Sequence, residues 1–137
     1  MEKNFDEWNI IKKNIENNTK INNKFPTEKE VWHCQMGKNI GFEENGTGKD
    51  FSRPVLIIRK FNNKMFWVVP LSTKQKELDF YFNFIDPNQN NVSAIIAQLK
   101  LISVKRLNRR IYKLPDQYYI KIISKIKSLL PKIENPT

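Results

Sequence analysis

Apolar residues recur every three or four positions near both ends of the chain, which is the spacing of an amphipathic helix. The first such segment, residues 4–18, begins at Asn4, a suitable N-cap. Its apolar stripe consists of Phe5, Trp8, Ile11 and Ile15. The second segment, residues 114–130, begins beside Asp116 and ends before Pro131, which cannot continue a helix. Its stripe consists of Tyr119, Ile122, Ile123, Ile126, Leu129 and Leu130.

The middle of the chain alternates apolar and polar residues and is rich in β-branched and aromatic residues, which is typical of strands. Turn clusters such as Asn62-Asn63 and residues 86–91 separate the alternating segments. The predicted strands are residues 30–37, 53–61, 65–72 and 78–85, a fifth and a short sixth within 92–103, and a turn or strand at 103–110. Short strands at this spacing favour a small β-barrel or sandwich over a βαβ fold.

Composition indicates one globular domain. The chain has 137 residues, of which 39% are hydrophobic and 12% aromatic, enough to build a core. A polar segment containing Pro26 follows the first helix, so we expect residues 1–24 to form a helical extension with a linker and residues 25–137 the main domain. The sequence lacks an apolar run long enough to span a membrane and an apolar signal-peptide core, and its single cysteine, Cys34, precludes an internal disulfide. We therefore expect a cytoplasmic protein with no membrane contact.

The chain is strongly basic, with a formal net charge of +10 and an isoelectric point of about 9.7. Such a charge attracts RNA, DNA or acidic proteins, although it also simply favours solubility. The densest basic patch is residues 105–110, which either follows RNA phosphates or forms a solvated face.

A long loop is predicted between the first two strands, in a chain with only four glycines. The four that bracket it are Gly37, Gly41, Gly46 and Gly48. The loop carries Glu43 and Glu44 and ends at Arg53, where the second strand begins. Ser72 and Thr73 end the neighbouring strand. We expect a flexible acidic flap beside an arginine held by a rigid strand.

An arginine, a carboxylate and a hydroxyl suffice for phosphate transfer without a metal. The carboxylate can take a proton from a ribose 2′-hydroxyl, and the guanidinium can bind the phosphate oxygens through paired hydrogen bonds. The alternative for Arg53 is a structural ion pair with a loop glutamate. The alternative for Ser72 and Thr73 is ordinary hydrogen bonding at a strand end.

Four segments in order resemble the PemK/MazF family of toxins of type II toxin–antitoxin systems. They are "EVWHCQMG", "NIGFEENG…RPVLII", "VVPLST" and "AIIAQLKLISVKRL". The resemblance implies an SH3-like β-barrel with a C-terminal helix, to which this chain adds an N-terminal helix, and a homodimer. It also implies an mRNA interferase, a metal-independent endoribonuclease that cuts single-stranded mRNA by 2′-hydroxyl attack and leaves a cyclic phosphate and a 5′-hydroxyl.

The resemblance also implies roles for single residues. Arg53, Ser72 and Glu43 match the family's catalytic positions, and Gln98 matches a structural or substrate-positioning glutamine. Glu44 and Thr73 remain alternatives to their neighbours. Basic residues expected to bind RNA are Lys49, Lys74, Lys100, Lys105 and Arg106.

Three further expectations concern ligands and partners. We expect no metal and no cofactor, since His33 lies mid-strand and Cys34 has no partner at ligand spacing. We expect an acidic antitoxin whose disordered segment folds on binding. Two alternative functions remain: a gyrase-poisoning toxin of the same barrel fold, and an RNA-binding barrel without catalysis.

Overall fold

The structure, a computed structural model, describes residues 3–18 and 24–133. Part of the predicted linker, residues 19–23, lies outside the described residues, and the division of the chain at residue 24 remains a prediction. The described residues form two helices and seven strands: α1 (Phe5–Asn17), β1 (Glu30–Gln35), β2 (Ser52–Lys60), β3 (Met65–Ser72), β4 (Tyr81–Ile85), β5 (Asn91–Ile95), β6 (Lys100–Ser103), β7 (Leu107–Lys113) and α2 (Asp116–Leu129).

The strands form one antiparallel sheet in the order β4-β5-β3-β2-β1-β7, with β6 paired to β3. The predicted class, mainly β with two helices, is therefore confirmed. The sheet is not closed, because β4 ends it on one side and β7 on the other. None of the helices in the described part of the chain is long and apolar enough to cross a membrane.

Strand β3 pairs with β2 on one edge and with two different strands on the other. Residues 65–68 pair with β6, whereas Leu71 and Ser72 pair with β5. Val69 and Pro70, between these two ladders, have no strand partner on that edge. A short 3-10 turn, Ile96–Gln98, connects β5 to β6 and lets the chain pass from one ladder to the other.

Strand β2 is buried on both faces, and this explains its continuous apolar run. Leu56 and Ile58 face one core, which α2 covers with the fully buried Ile122. Val55 and Ile57, which alternate with these residues along the strand, face a second core that contains Cys34. Strands with two buried faces lack polar alternation, and β2 has this composition.

Prediction and structure differ at β4, in the basic segment and at the end of α2, and by one or two residues at other element ends. Strand β4 begins at Tyr81, three residues later than predicted, after a turn. The basic segment 103–110 divides into a 3-10 turn, Val104–Arg106, and strand β7. At the end of the last helix, Leu129 is 42% exposed, so the apolar stripe ends before the helix does.

Candidate active site

The β1–β2 loop, residues 36–51, is held by hydrogen bonds across its neck, which consists of Gly37, Gly46 and Phe51. The Gly37 N–H donates to the Phe51 carbonyl at 3.0 Å, and the Gly46 N–H donates to the Gly37 carbonyl at 2.8 Å. Thr47 and Ser52 exchange a pair of backbone hydrogen bonds of 2.8 and 3.0 Å. At Gly46 a β-carbon would lie 1.7 Å from the Phe51 carbonyl oxygen, so only glycine permits this approach. The loop expected to be a flexible flap therefore has a well-bonded base.

The Arg53 guanidinium makes two hydrogen bonds and one ion pair. Its Nε donates to the Asn45 carbonyl at 2.7 Å, and Nη1 donates to the Leu71 carbonyl at 3.1 Å. Nη2 lies 2.8 Å from the Glu44 carboxylate, and only 16% of the arginine side chain is exposed. A guanidinium has five N–H groups, so these contacts leave two for another acceptor.

The two loop glutamates have different surroundings. Glu44 forms the ion pair with Arg53, and its backbone N–H donates to Gln98 Oε1 at 3.3 Å. Gln98 Nε2 donates to the Phe42 carbonyl at 3.0 Å, so this glutamine holds the loop at two points. Glu43 instead accepts from the Ile40 N–H at 3.0 Å. The structure thus brings Glu44, rather than Glu43, to the arginine.

A cleft of about 710 Å³ opens in front of Arg53. Glu44 and Ser72 line the same cleft, as do Thr73 and Lys74. The half-buried Ser72 Oγ accepts from the Lys74 N–H at 3.1 Å, and this bond leaves the hydroxyl hydrogen free to be donated. A guanidinium, a carboxylate and hydroxyls therefore meet in one cavity.

The wall of the cleft also contains residues that were not predicted from the sequence. Tyr112, on β7, lines it, and so does the β4–β5 turn with Asp86, Asn88 and Asn90. Burial, with the Asp86 charge as a second cause, raises the pKa of Tyr112 above its ordinary value of 10.0. Asp86 shapes the turn by accepting from the Asn88 and Asn90 N–H groups at 2.9 and 2.8 Å.

A second, smaller cavity of about 200 Å³ adjoins the loop, and Glu44 lines both cavities. Glu43, Gln98 and Lys100 lie in its wall. Burial, followed by the positive charge of Arg106, lowers the pKa of Lys100. The predicted RNA-binding lysine Lys100 therefore belongs to this neighbouring cavity and not to the main cleft.

Of the other predicted RNA-binding residues, only Lys74 lines the main cleft. Lys49 is exposed on the β1–β2 loop and is not part of the cleft wall. Lys105 and Arg106 contact α1: Lys105 Nζ donates to the Glu16 carbonyl at 2.9 Å, and the Arg106 guanidinium lies 5.8 Å from the Trp8 ring centre.

The remaining candidates lie apart from this chemistry. Cys34 is fully buried, and burial raises the pKa of its thiol to about 12. Burial, then the charge of Arg109, lowers the pKa of His33. The described residues contain no group of three or more histidine, cysteine, aspartate or glutamate side chains that could hold a metal ion.

Residues 27–130 match the PemK-like, MazF-like toxins of type II toxin–antitoxin systems. The chain belongs to this family. The family implies an antitoxin as partner. No curated protein matches the sequence significantly.

Solved structures agree with this membership at the level of the fold. The crystal structure of MazF (Form-I) from Deinococcus radiodurans has a TM-score of 0.65 and 13% identity over 78% of this chain and 97% of its own. The Mycobacterium tuberculosis toxin MazF-mt6 has a TM-score of 0.56 and 17% identity over 72% of this chain and 93% of its own. In both comparisons the PemK/MazF chain is covered almost completely, so this protein contains a whole toxin fold and additional residues.

Proposed function

We propose that the protein is the toxin of a type II toxin–antitoxin pair and a metal-independent endoribonuclease that cuts single-stranded mRNA at a short sequence. The observation that carries this proposal is the convergence of Arg53, Glu44 and Ser72 on one cleft. Family membership supports the toxin role, and the net charge of +10 suits both an RNA substrate and an acidic antitoxin. The active form is a homodimer, as in related toxins with this fold.

The proposed reaction is an intramolecular transesterification. The Glu44 carboxylate takes the proton of a ribose 2′-hydroxyl, whose oxygen then attacks the adjacent phosphorus. Arg53 uses its two remaining N–H groups to bind the phosphate oxygens as their negative charge increases, and Ser72 donates one further hydrogen bond. The bond from phosphorus to the 5′-oxygen breaks, and this oxygen takes a proton from water. The products are a 2′,3′-cyclic phosphate and a 5′-hydroxyl.

The Arg53–Glu44 ion pair fits both halves of this mechanism. The fixed guanidinium of Arg53 orients the Glu44 carboxylate before substrate binds. RNA phosphate binds the two N–H groups that the protein contacts leave free, one on Nη1 and one on Nη2, while the Glu44 carboxylate stays beside Nη2 as the proton acceptor. Two backbone carbonyls, of Asn45 and Leu71, keep the guanidinium in place during this step.

The test is cleavage of a long single-stranded RNA in EDTA, with the cut ends mapped for cyclic phosphate and 5′-hydroxyl. We expect Arg53→Ala to lower the rate at least about a hundredfold, because it removes the main stabilisation of the phosphate charge. Arg59→Ala is the matched control, since Arg59 is an exposed arginine on the same strand. Full activity of Arg53→Ala, or an inactive wild type that instead inhibits gyrase supercoiling, would refute the proposal.

A further inference from the structure

Helix α1 lies outside the part of the chain that matches the family, residues 27–130, yet it packs on the loop that carries Glu44. The centre of this contact is Trp8, the one buried residue of α1, which is 5% exposed. Its ring lies 5.7 Å from the ring of Phe51, centre to centre. Gly37 approaches so closely that a β-carbon there would lie 2.1 Å from Trp8 Cε2.

Trp8 therefore contacts both sides of the loop neck, Gly37 on one side and Phe51 on the other. Gly37 and Phe51, which it contacts, are joined by the Gly37 N–H to Phe51 carbonyl hydrogen bond. The Gly37 carbonyl in turn accepts from Gly46, and the carbonyl of Asn45, one residue earlier, accepts from Arg53 Nε. A continuous path of contacts and hydrogen bonds thus links Trp8 to the arginine.

Both ends of α1 are also tied down. At its start, Lys3 Nζ donates to the carbonyls of Asn39 and Gly41, in the first half of the loop. At its end, Lys105 donates to the Glu16 carbonyl, where a positive charge is favoured by the helix dipole. The Arg106 guanidinium lies over the Trp8 ring, 5.8 Å from its centre, and its Nη1 donates to the Gln35 carbonyl at 3.0 Å.

We propose that α1 is a positioning element of the active-site loop and that Trp8 is its positioning residue. This inference rests on the proposed nuclease function. It assigns a role in catalysis to a helix that the family match does not include. Trp8 does not touch the cleft, because no residue of α1 lines it. Its effect is to fix the loop neck, and through it the orientation of Arg53 and Glu44.

A positioning role predicts a loss of rate rather than of RNA affinity. A misplacement of about 1 Å at a catalytic group costs about a hundredfold in rate. We expect Trp8→Ala to lower kcat about 10- to 100-fold, with KM changed by less than about threefold. Trp8→Phe should restore most of kcat, because a smaller ring still covers Phe51 and Gly37.

The experiment compares full-length wild type, Trp8→Ala, Trp8→Phe and Ile10→Ala. Ile10 is 64% exposed on the same helix, so its truncation is the matched control. Single-turnover cleavage of the RNA used above, at varied protein concentration, separates kcat from KM. Amide hydrogen exchange at Gly46, whose N–H bonds to Gly37, reports the loop neck without any RNA. We expect exchange at Gly46 to accelerate about tenfold in Trp8→Ala and to stay unchanged in Ile10→Ala.

Each outcome decides the inference. Wild-type kcat in Trp8→Ala, unchanged exchange at Gly46, or an equal loss in Ile10→Ala would overturn it. Should Trp8→Ala fail to fold, Lys3→Met replaces it, because this change removes the contacts to Asn39 and Gly41. We expect a lower kcat and faster exchange at Gly46 in Lys3→Met, and wild-type values of both would overturn the inference. Wild type that exchanges as expected but cuts no RNA would refute the nuclease function and leave α1 as a support of the loop.

Discussion

The Glu44 carboxylate lies 2.8 Å from Nη2 of Arg53, at the base of a cleft that both residues line. Glu43, the preceding residue, turns its carboxylate to the Ile40 N–H instead. The loop therefore separates two adjacent glutamates, one facing the arginine and one capping a turn of its own backbone. This difference allows the two to be tested against each other.

We expect Glu44→Gln to lower RNA cleavage about a hundredfold or more. The amide can still hydrogen-bond to Arg53, but it cannot take the proton of the 2′-hydroxyl. Glu43→Gln, the matched control, should stay within about threefold of wild type. The measurement is the single-turnover rate at saturating protein. A larger loss in Glu43→Gln than in Glu44→Gln would assign the proton transfer to the other glutamate.

Ser72 and Thr73 are separable in the same way, because Ser72 is half-buried in the cleft wall and Thr73 is exposed. We expect Ser72→Ala to lower the cleavage rate about 10- to 100-fold by removing one hydrogen-bond donor to the phosphate. Ser72→Thr should remain active, since the hydroxyl is kept, and Thr73→Ala should cleave almost normally. If Thr73→Ala is the inactive variant, the neighbouring hydroxyl is the donor.

Tyr119 provides a test of stability that is independent of RNA. Its hydroxyl donates to the Ile58 carbonyl at 2.7 Å and thereby fastens α2 to β2. We expect Tyr119→Phe to lower the free energy of unfolding by about 1 kcal/mol, with RNA cleavage unchanged. Tyr118→Phe is the control on the same helix, where the ring packs against Phe84. Urea unfolding measures both, and an equal loss in the two variants would show that the hydrogen bond is not responsible.

The same tyrosine makes this difference depend on pH. Burial, then the negative charge of Glu28, raises the pKa of Tyr119 above its ordinary value of 10.0. The folded state thus keeps a proton that the unfolded state loses, so this contribution to stability is complete below pH 10 and is lost as the pH rises above it. We expect the stability advantage of wild type over Tyr119→Phe to shrink as the pH rises above 10. An advantage that grows above pH 10 would contradict the assigned direction.

The elements were predictable where local sequence decides the structure. Asn4 caps α1 as expected, its side chain accepting from the Glu7 N–H at 3.1 Å. Strand β3 has its predicted boundaries, because alternation and the turn before it are local signals. Strand β7 was less certain from sequence, since its residues are mostly exposed and carry little apolar periodicity.

The site was only partly predictable, because its contacts join distant parts of the chain. Motif order singled out Arg53 as a candidate, but the position of Glu44 beside it involves a hydrogen bond from the Glu44 N–H to Gln98, 54 residues further along. Tyr112 carries no catalytic motif and reaches the cleft only through the pairing of β7 with β1. The segment containing Lys105 looks like a free basic patch in the sequence, whereas α1 occupies part of it.

The double pairing of β3 explains a proline inside a buried strand. Proline has no N–H to give to a ladder, and it is normally excluded from central strands. Pro70 lies between the part of β3 that pairs with β6 and the part that pairs with β5, so no backbone N–H donor is needed on that edge. Ser72 follows two residues later, in the part of β3 that pairs with β5. The proline thus marks the point where the two ladders of β3 separate, and Ser72 lies just beyond it, in the wall of the cleft.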